Sequence, residues 1–96
     1  MQRTLKNLRS VGPATIRDLA LLGIHSVEQL AGQEAQHLYD SLCAATGQKH
    51  DICMLDVFAC AIAQARNPAL PDEQKDWFWW SAIRKGQPAP SQKADS

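Results

Sequence analysis

Residues 5–30 read LKNLRSVGPATIRDLALLGIHSVEQL, and the fold of the chain depends on this stretch. Its first apolar side chains recur every three residues, at Leu5, Leu8 and Val11. That spacing predicts a short helix that buries one face. Gly12 then ends the helix, and Pro13 takes the first position of a second helix, where proline is favoured. We therefore expect two helices joined by a tight turn.

The turn at residues 10–13 is a candidate binding site for phosphate. Backbone N–H groups at the start of a helix form a concavity of partial positive charge, which attracts anions. Arg9 and Arg17 flank the turn and can pair with phosphate oxygens, and the Thr15 hydroxyl can donate a further hydrogen bond. The predicted binding residues are Arg9, Ser10, Gly12, Ala14, Thr15 and Arg17.

The basic residues of the chain are concentrated around this turn. The 96 residues carry ten Lys and Arg against ten Asp and Glu, so the net charge is zero. Residues 1–17 hold four basic residues and no acidic one, which gives +4, whereas residues 18–96 hold six basic and ten acidic residues, which gives −4. A phosphodiester is a suitable ligand for such a site, and none of the predicted contacts reads a base edge, so if the site binds DNA we expect binding without sequence preference. Its Kd should be about 10⁻⁴ to 10⁻⁶ M and should rise with salt.

The apolar periodicity and the turn residues predict an all-α protein. Helices are expected over residues 13–22, 26–30, 34–45, 52–66 and 71–85. Gly23 should end the first of these with a left-handed cap, and Asp51 should cap the fourth. Because the fourth helix is apolar on nearly all sides, we expect it to be central.

Length and composition predict one domain. With 96 residues and 45% hydrophobic content, the chain supports a single core and buries roughly 60 to 65% of its unfolded surface. We expect a compact domain of five to six helices over residues 1–86 and a disordered tail over residues 87–96. Since no stretch is long and apolar enough for a signal peptide or a membrane helix, we predict a cytoplasmic protein without membrane contact.

Three cysteines, Cys43, Cys53 and Cys60, suggest a metal site or a nucleophile. Zinc sites favour closely spaced ligands, but no Cys-x-x-Cys pair occurs, and the last two cysteines lie two helical turns apart. Buried free thiols in a reducing compartment explain the cysteines better. The sequence also indicates no general base oriented by a third group, as a nucleophilic cysteine would need. We therefore predict no enzymatic activity, and we predict no metal and no cofactor.

Four consecutive aromatic residues occupy positions 77–80, with the sequence WFWW. Such rings can stack on bases, but successive side chains on a helix point in all directions, so two or three of these should pack inward. Core packing is the favoured interpretation, with Trp79 nearest the surface. Asp56 interrupts the central apolar helix and marks either its solvent-facing stripe or a buried carboxylate paired with an arginine.

Residues 8–19, LRSVGPATIRDL, resemble the helix-hairpin-helix motif of DNA-binding and repair proteins. The match rests on Val11, Gly12, Pro13, Thr15 and Leu19. Ser10 stands where the first glycine of the motif is usual, and Ile16 stands where a small alanine is usual. The resemblance implies a turn that binds the DNA backbone, with less room for phosphate at Ser10 and altered helix packing at Ile16.

Residues 5–82 also resemble the small bacterial proteins of the pathogenicity-locus and mitomycin-resistance-like family. The shared features are the Leu38-Tyr39 pair, the turn from Cys43 to Gly47, Asp51, Cys53, the Val57-Phe58 pair and the tryptophan cluster. The first thirty residues resemble, in addition, the C-terminal domain of competence-regulating proteins. This family is defined by its fold more than by a reaction.

Two functional hypotheses follow. The first is a small, non-catalytic module that holds the sugar-phosphate backbone of DNA, weakly and without sequence preference, at the turn. The alternative is an adaptor that docks a protein partner on a helical face or on the tryptophan-rich helix.

Overall fold

A computed structural model describes residues 3–86, and within this range all of the regular secondary structure is helical. Five α-helices follow in order: α1 Pro13–Leu21, α2 Val27–Ala31, α3 Ala35–Thr46, α4 Cys53–Arg66 and α5 Trp77–Arg84. Two 3₁₀ turns, Leu5–Asn7 and Asp72–Lys75, accompany them. The predicted all-α class is confirmed. The tail predicted over residues 87–96 lies outside the described residues.

The first predicted helix is only one 3₁₀ turn, Leu5–Asn7, so the prediction was wrong in length. The Asn7 side-chain oxygen accepts a hydrogen bond from the Thr4 N–H at 2.8 Å, which caps the start of the turn, and the extended backbone of Leu8, with φ −83° and ψ 136°, ends it. The predicted apolar face is nevertheless correct, since the three side chains spaced along it are all buried.

Helix α1 ends as predicted, with Gly23 in the left-handed region at φ 83°. The next N–H, that of Ile24, reaches back to the Leu19 carbonyl oxygen at 2.8 Å, which closes the helix end. Ala20 is exposed, whereas Thr15 is buried, because it lies four residues before the buried Leu19 and therefore on the same face of the helix.

Helix α4 is the centre of the fold, as predicted, and packs against α2, α3, α5 and the second 3₁₀ turn. The buried side chains around it form one apolar cluster: Leu5, Leu8, Val11, Leu19, Ile24, Val27, Leu30, Leu38, Tyr39, Leu42, Phe58, Ala61, Ile62 and Ala65. Asp51 lies one residue before the N-cap and still accepts a hydrogen bond from the Cys53 N–H at 2.9 Å.

The buried carboxylate of Asp56 is paired with an arginine, which selects one of the two predicted alternatives. Asp56 is 2% exposed. The Arg84 guanidinium donates to both carboxylate oxygens, at 2.8 and 2.9 Å. Two-point pairing of this kind compensates for the removal of the charge from water and fixes α5 on α4.

The last predicted helix is interrupted, which corrects the single span expected over residues 71–85. A 3₁₀ turn ends at Lys75, and α5 begins at Trp77. Between them, Asp76 has an extended backbone, with φ −100° and ψ 130°. The break exists because a hydroxyl from the distant residue Ser10 bonds to the backbone on both sides of it, at Lys75 and Trp77.

The exposed aromatic residue of α5 is Phe78, and the prediction for Trp79 was wrong. Phe78 is 51% exposed, whereas the three tryptophans are half-buried. The buried residues of this helix are the small Ser81 and Ala82, because small side chains let α5 approach α4 closely. The rings lie at the margin of the core, where they contact one another edge to face.

None of the helices in this part of the chain has the length and apolar character needed to cross a membrane.

Candidate functional site

The turn that follows the first 3₁₀ segment has its unusual backbone angle at Ser10. Ser10 lies in the left-handed region at φ 66°, whereas Gly12 is extended, with φ −96° and ψ −179°. A non-glycine residue in this region costs roughly 1 kcal/mol or more, so other contacts must hold it there. Ser10 therefore adopts the conformation that a glycine would take most easily.

The Ser10 hydroxyl provides those contacts. It accepts a hydrogen bond from the Trp77 N–H at 3.1 Å and donates one to the Lys75 carbonyl oxygen at 3.0 Å. The first of these bonds satisfies an N–H in the first turn of α5, which has no cap from its own side chains. The turn is thus joined to the start of the last helix.

Gln64 of α4 fixes the residue before Ser10. Its side-chain oxygen accepts from the Arg9 N–H at 2.9 Å, and its side-chain nitrogen donates to the Arg9 carbonyl oxygen at 2.8 Å. Gln64 is 3% exposed, so this pair of bonds also satisfies a buried amide. The backbone of the turn is therefore clamped to the centre of the fold.

The Arg9 side chain is engaged in an ion pair. Its guanidinium lies 2.8 Å from the Asp76 carboxylate and 3.9 Å from that of Asp72. We call Arg9 and Ser10, with the contacts described above, the docked side of the turn. The prediction that Arg9 pairs with phosphate requires it to leave these carboxylates.

A second basic residue of the predicted cluster is also used internally. Arg3 donates to the carbonyl oxygens of Gln64 and Ala65, at 2.7 and 3.2 Å. These carbonyls belong to the last turn of α4, where the helix dipole favours a positive charge. Of the four basic residues predicted around the turn, this leaves two, Lys6 and Arg17, that are exposed and form no hydrogen bond or ion pair through their side chains with a described residue.

The other side of the turn is open. The hydrogen bonds of the described residues include none donated by the N–H groups of Gly12, Ala14 or Thr15. Gly12, Pro13 and Ala14 are exposed, whereas the Thr15 side chain is buried at 8% exposure. The Thr15 hydroxyl makes no hydrogen bond with a described residue.

Lys6 and Arg17 border a shallow groove that includes Pro13, the first residue of α1. The groove has a volume of about 370 Å³ and an apolar floor, lined by Val11, Pro13 and Ile16. Ile16, which replaces the usual alanine of the motif, is half-buried and packs against the core from this floor. We call Lys6, the N–H groups of residues 12, 14 and 15, and Arg17 the open side of the turn.

The surroundings of two cysteines, Cys53 and Cys60, disfavour the reactive thiolate form. Burial raises the pKa of Cys60 to about 11, and the hydrogen bond with Asp51 is the main cause that raises the pKa of Cys53. Raised values keep the thiols protonated near neutral pH. Cys43 and Cys53 are half-buried, so only Cys60 has the full burial predicted for the three. Among residues 3–86, no group of three or more histidine, cysteine and acidic side chains lies close enough to hold a metal ion.

Three residues that shape this site, Gln64, Asp76 and Lys6, were not predicted from the sequence. Gln64 was visible as a polar interruption of an apolar helix, which is the signal of a buried hydrogen-bonding role. Asp76 and Lys6 gave no signal of their own, because exposed charges are common on helix termini. Their roles depend on which segments the fold brings together.

Comparison with known proteins identifies relatives over nearly the whole described range. The sequence profile of the Cdd1 family, described as a pathogenicity locus, matches residues 1–86. The mitomycin resistance protein McrB of Streptomyces lavendulae is 35% identical over 82 residues, which cover 84% of this chain and 73% of that protein. No solved structure matches the chain.

Proposed function

Because the chain belongs to the pathogenicity-locus family, whose description names no reaction, we propose from the geometry of the turn that it is a non-catalytic module that binds the DNA backbone. The open side of the turn holds phosphate groups, without sequence preference. The observation that carries this proposal is that three backbone N–H groups at this turn and two cations near it have no hydrogen-bond or ion-pair partner among the described residues.

The N–H groups support the proposal through their position at the start of α1. Three of them, from residues 12, 14 and 15, donate to no described residue. They lie at the N-cap and in the first turn of a helix of nine residues, whose dipole adds to their partial positive charge. A phosphate oxygen placed there gains both the hydrogen bonds and the field of the helix.

Two cations extend this site along the groove. Lys6 and Arg17 are exposed, and neither forms an ion pair with a described residue. Because each neutralised phosphate contributes about −0.9 to the slope of log K against log salt, two contacts give a slope of about −2. The expected binding is therefore weak, and a second copy or a larger complex would raise the affinity by avidity.

Binding without catalysis fits the chemistry of the side chains. The thiols of Cys53 and Cys60 have raised pKa values, which disfavours the nucleophilic thiolate. The residues of the open side supply hydrogen-bond donors and positive charge, and these position a backbone more readily than they cleave it.

The test is a titration of duplex, branched and single-stranded DNA at 50 and 200 mM salt. The variant Lys6→Gln/Arg17→Gln removes both free cations of the open side. We expect it to reduce the salt slope of duplex binding by about 2, since two phosphate contacts are lost.

The matched control is Lys49→Gln/Lys85→Gln, which removes the same charge from two exposed lysines away from the turn. It should change the salt slope little. Absence of binding to every DNA by the unmodified protein at 50 mM salt would overturn the proposal, as would equal losses in the two double variants.

A second candidate function is supported by the last helix. Phe78 and Ile83 are 51% and 46% exposed, although both are large apolar side chains. Exposed aromatic residues are frequent anchors of protein interfaces. On this view the protein is an adaptor, and a partner should be retained from nuclease-treated extract by the unmodified protein and lost with Phe78→Ala. Loss of all partners on nuclease treatment would favour DNA binding.

A further inference from the structure

The Arg9 guanidinium occupies a carboxylate clasp at the edge of the candidate DNA site. Asp76 binds it at 2.8 Å, and Asp72 lies at 3.9 Å. Asp72 is held in turn by Lys75 at 3.4 Å. A carboxylate offers a guanidinium two oxygens in the same planar arrangement that a phosphate offers, so the two anions compete for the same donors.

The clasp is held in register by bonds that do not involve charge. Ser10, the neighbour of Arg9, bonds to Lys75 and Trp77, which are the two neighbours of Asp76. Gln64 fixes the Arg9 backbone from the other direction, at 2.8 and 2.9 Å. The two backbones are therefore joined on either side of the ion pair. These bonds keep Asp76 close to Arg9 even when the ion pair between their side chains is broken.

From this geometry we propose that Asp76, assisted by Asp72, competes with DNA phosphate for Arg9 and so limits the affinity of the turn. This inference rests on the proposed DNA-binding function. Because Asp76 belongs to the same chain, its effective concentration at Arg9 far exceeds that of a phosphate in solution. The Arg9 and Asp76 side chains are 49% and 32% exposed, so a phosphate can still reach the guanidinium.

The proposal predicts that Arg9 contributes little to DNA affinity in the unmodified protein. Arg9→Gln should change duplex affinity less than twofold there. In Asp76→Asn, by contrast, Arg9 becomes free and adds one phosphate contact. The fall in affinity between 50 and 200 mM salt should then grow by a factor of about 3.5, which is fourfold salt raised to the power 0.9.

The experiment is a double-mutant cycle on duplex DNA at 50 and 200 mM salt with the unmodified protein, Arg9→Gln, Asp76→Asn and the double variant. We expect tighter binding for Asp76→Asn at 50 mM and no such gain for the double variant. The charge control is Asp40→Asn, an exposed carboxylate on α3 whose partner is Gln36 at 3.0 Å. Asp72→Asn, with a smaller expected gain, replaces Asp76→Asn if circular dichroism shows that the latter is unfolded.

The outcomes separate the two proposals. If Arg17→Gln weakens binding while Asp76→Asn and Asp72→Asn bind like the unmodified protein, the competition is overturned and the DNA site stands. An equal gain in Asp40→Asn would also overturn it, because that result reflects overall charge. If the unmodified protein binds no DNA at 50 mM salt, the proposed function fails, and the inference that rests on it fails as well.

Discussion

The docked and open sides of the turn present the same kinds of polar group to different surroundings. On the docked side, the Arg9 backbone, the Ser10 hydroxyl and the Arg9 guanidinium all have partners within the fold. On the open side, three N–H groups and two cations have none among the described residues. The difference shows that the charge of a segment and the charge it offers to a ligand are separate quantities.

Arg9 and Arg17 make this contrast most directly. They carry the same charge and are eight positions apart in the sequence, so composition treats them alike. One faces Asp76 at 2.8 Å, and the other lines the groove. Substitutions on the docked side should therefore lower the free energy of unfolding, and substitutions on the open side should lower the affinity for DNA.

The largest expected effect is that of Gln64→Ala. The substitution leaves the Arg9 N–H and carbonyl without their partners, and each loss costs about 1 to 2 kcal/mol, so the free energy of unfolding should fall by about 2 to 4 kcal/mol. Urea denaturation measures it. Gln36→Ala is the control, since Gln36 is exposed and bonds only to Asp40; it should stay within about 0.5 kcal/mol. A similar loss in the free energy of unfolding for both glutamine variants would contradict the assignment of Gln64 to the docked side.

Cys60 lies against the docked side, since its sulfur accepts a hydrogen bond from the Gln64 side-chain nitrogen at 3.5 Å, and its reactivity therefore reports on that side. In the variant Cys43→Ser/Cys53→Ser, Cys60 is the single thiol. Its pKa of about 11 exceeds the ordinary value of 9.0. Near pH 8 the thiolate fraction is therefore about 100-fold lower than that of an ordinary cysteine. Reaction with an aromatic disulfide should be slower than in urea by at least this factor. The rate should rise about tenfold per pH unit between pH 7 and 10, and a plateau below pH 9 would contradict the assignment.

The same shift has a consequence for stability. The folded state keeps the Cys60 proton to about pH 11, whereas the unfolded chain releases it near pH 8.5 to 9. The contribution of Cys60 to stability is therefore complete below about pH 8.5 and is lost as the pH rises toward 11. Cys60→Ala should show a flatter decline over this range in thermal melts.

Ser10 tests whether the docked side is held by its hydroxyl or by its backbone. Ser10→Ala removes both hydrogen bonds and keeps the left-handed strain, so we expect a loss of about 1 to 2 kcal/mol. Ser10→Gly removes the same bonds but relieves about 1 kcal/mol of strain. The glycine variant should thus be the more stable of the two by thermal melting. The reverse order would mean that residue 10 needs no unusual backbone angle.

Much of the fold could be predicted because it depends on local patterns. Apolar spacing located the helices, Gly23 gave the end of α1, and the nearly continuous apolar run of α4 gave its central position. These signals are contained within a few consecutive residues. The family resemblance was confirmed in the same way, since it depends on residues that lie in order along the chain.

The remainder could not be predicted because it depends on contacts between distant segments. Ser10 interrupts the last helix from 67 positions away, and no local feature at Asp76 announces the break. Likewise Arg3 and Arg9 are neutralised by residues 61 and 67 positions away. A charge count along the sequence therefore overestimates the basic character of the turn, and only the folded arrangement shows that half of it is already used.

The smallest expected effect is the difference in stability between Arg9→Gln and Arg17→Gln. Arg9 loses a half-exposed ion pair, worth about 0.2 to 1 kcal/mol, whereas Arg17 loses no pair with a described residue and should stay within about 0.5 kcal/mol. Matched thermal melts at 20 mM and 1 M salt measure the gap. Since salt screens an exposed pair, the gap should close at the higher concentration. A larger loss of stability for Arg17→Gln than for Arg9→Gln would mean that Arg17, and not Arg9, is the ion-paired arginine, and it would reverse the assignment of the docked and open sides.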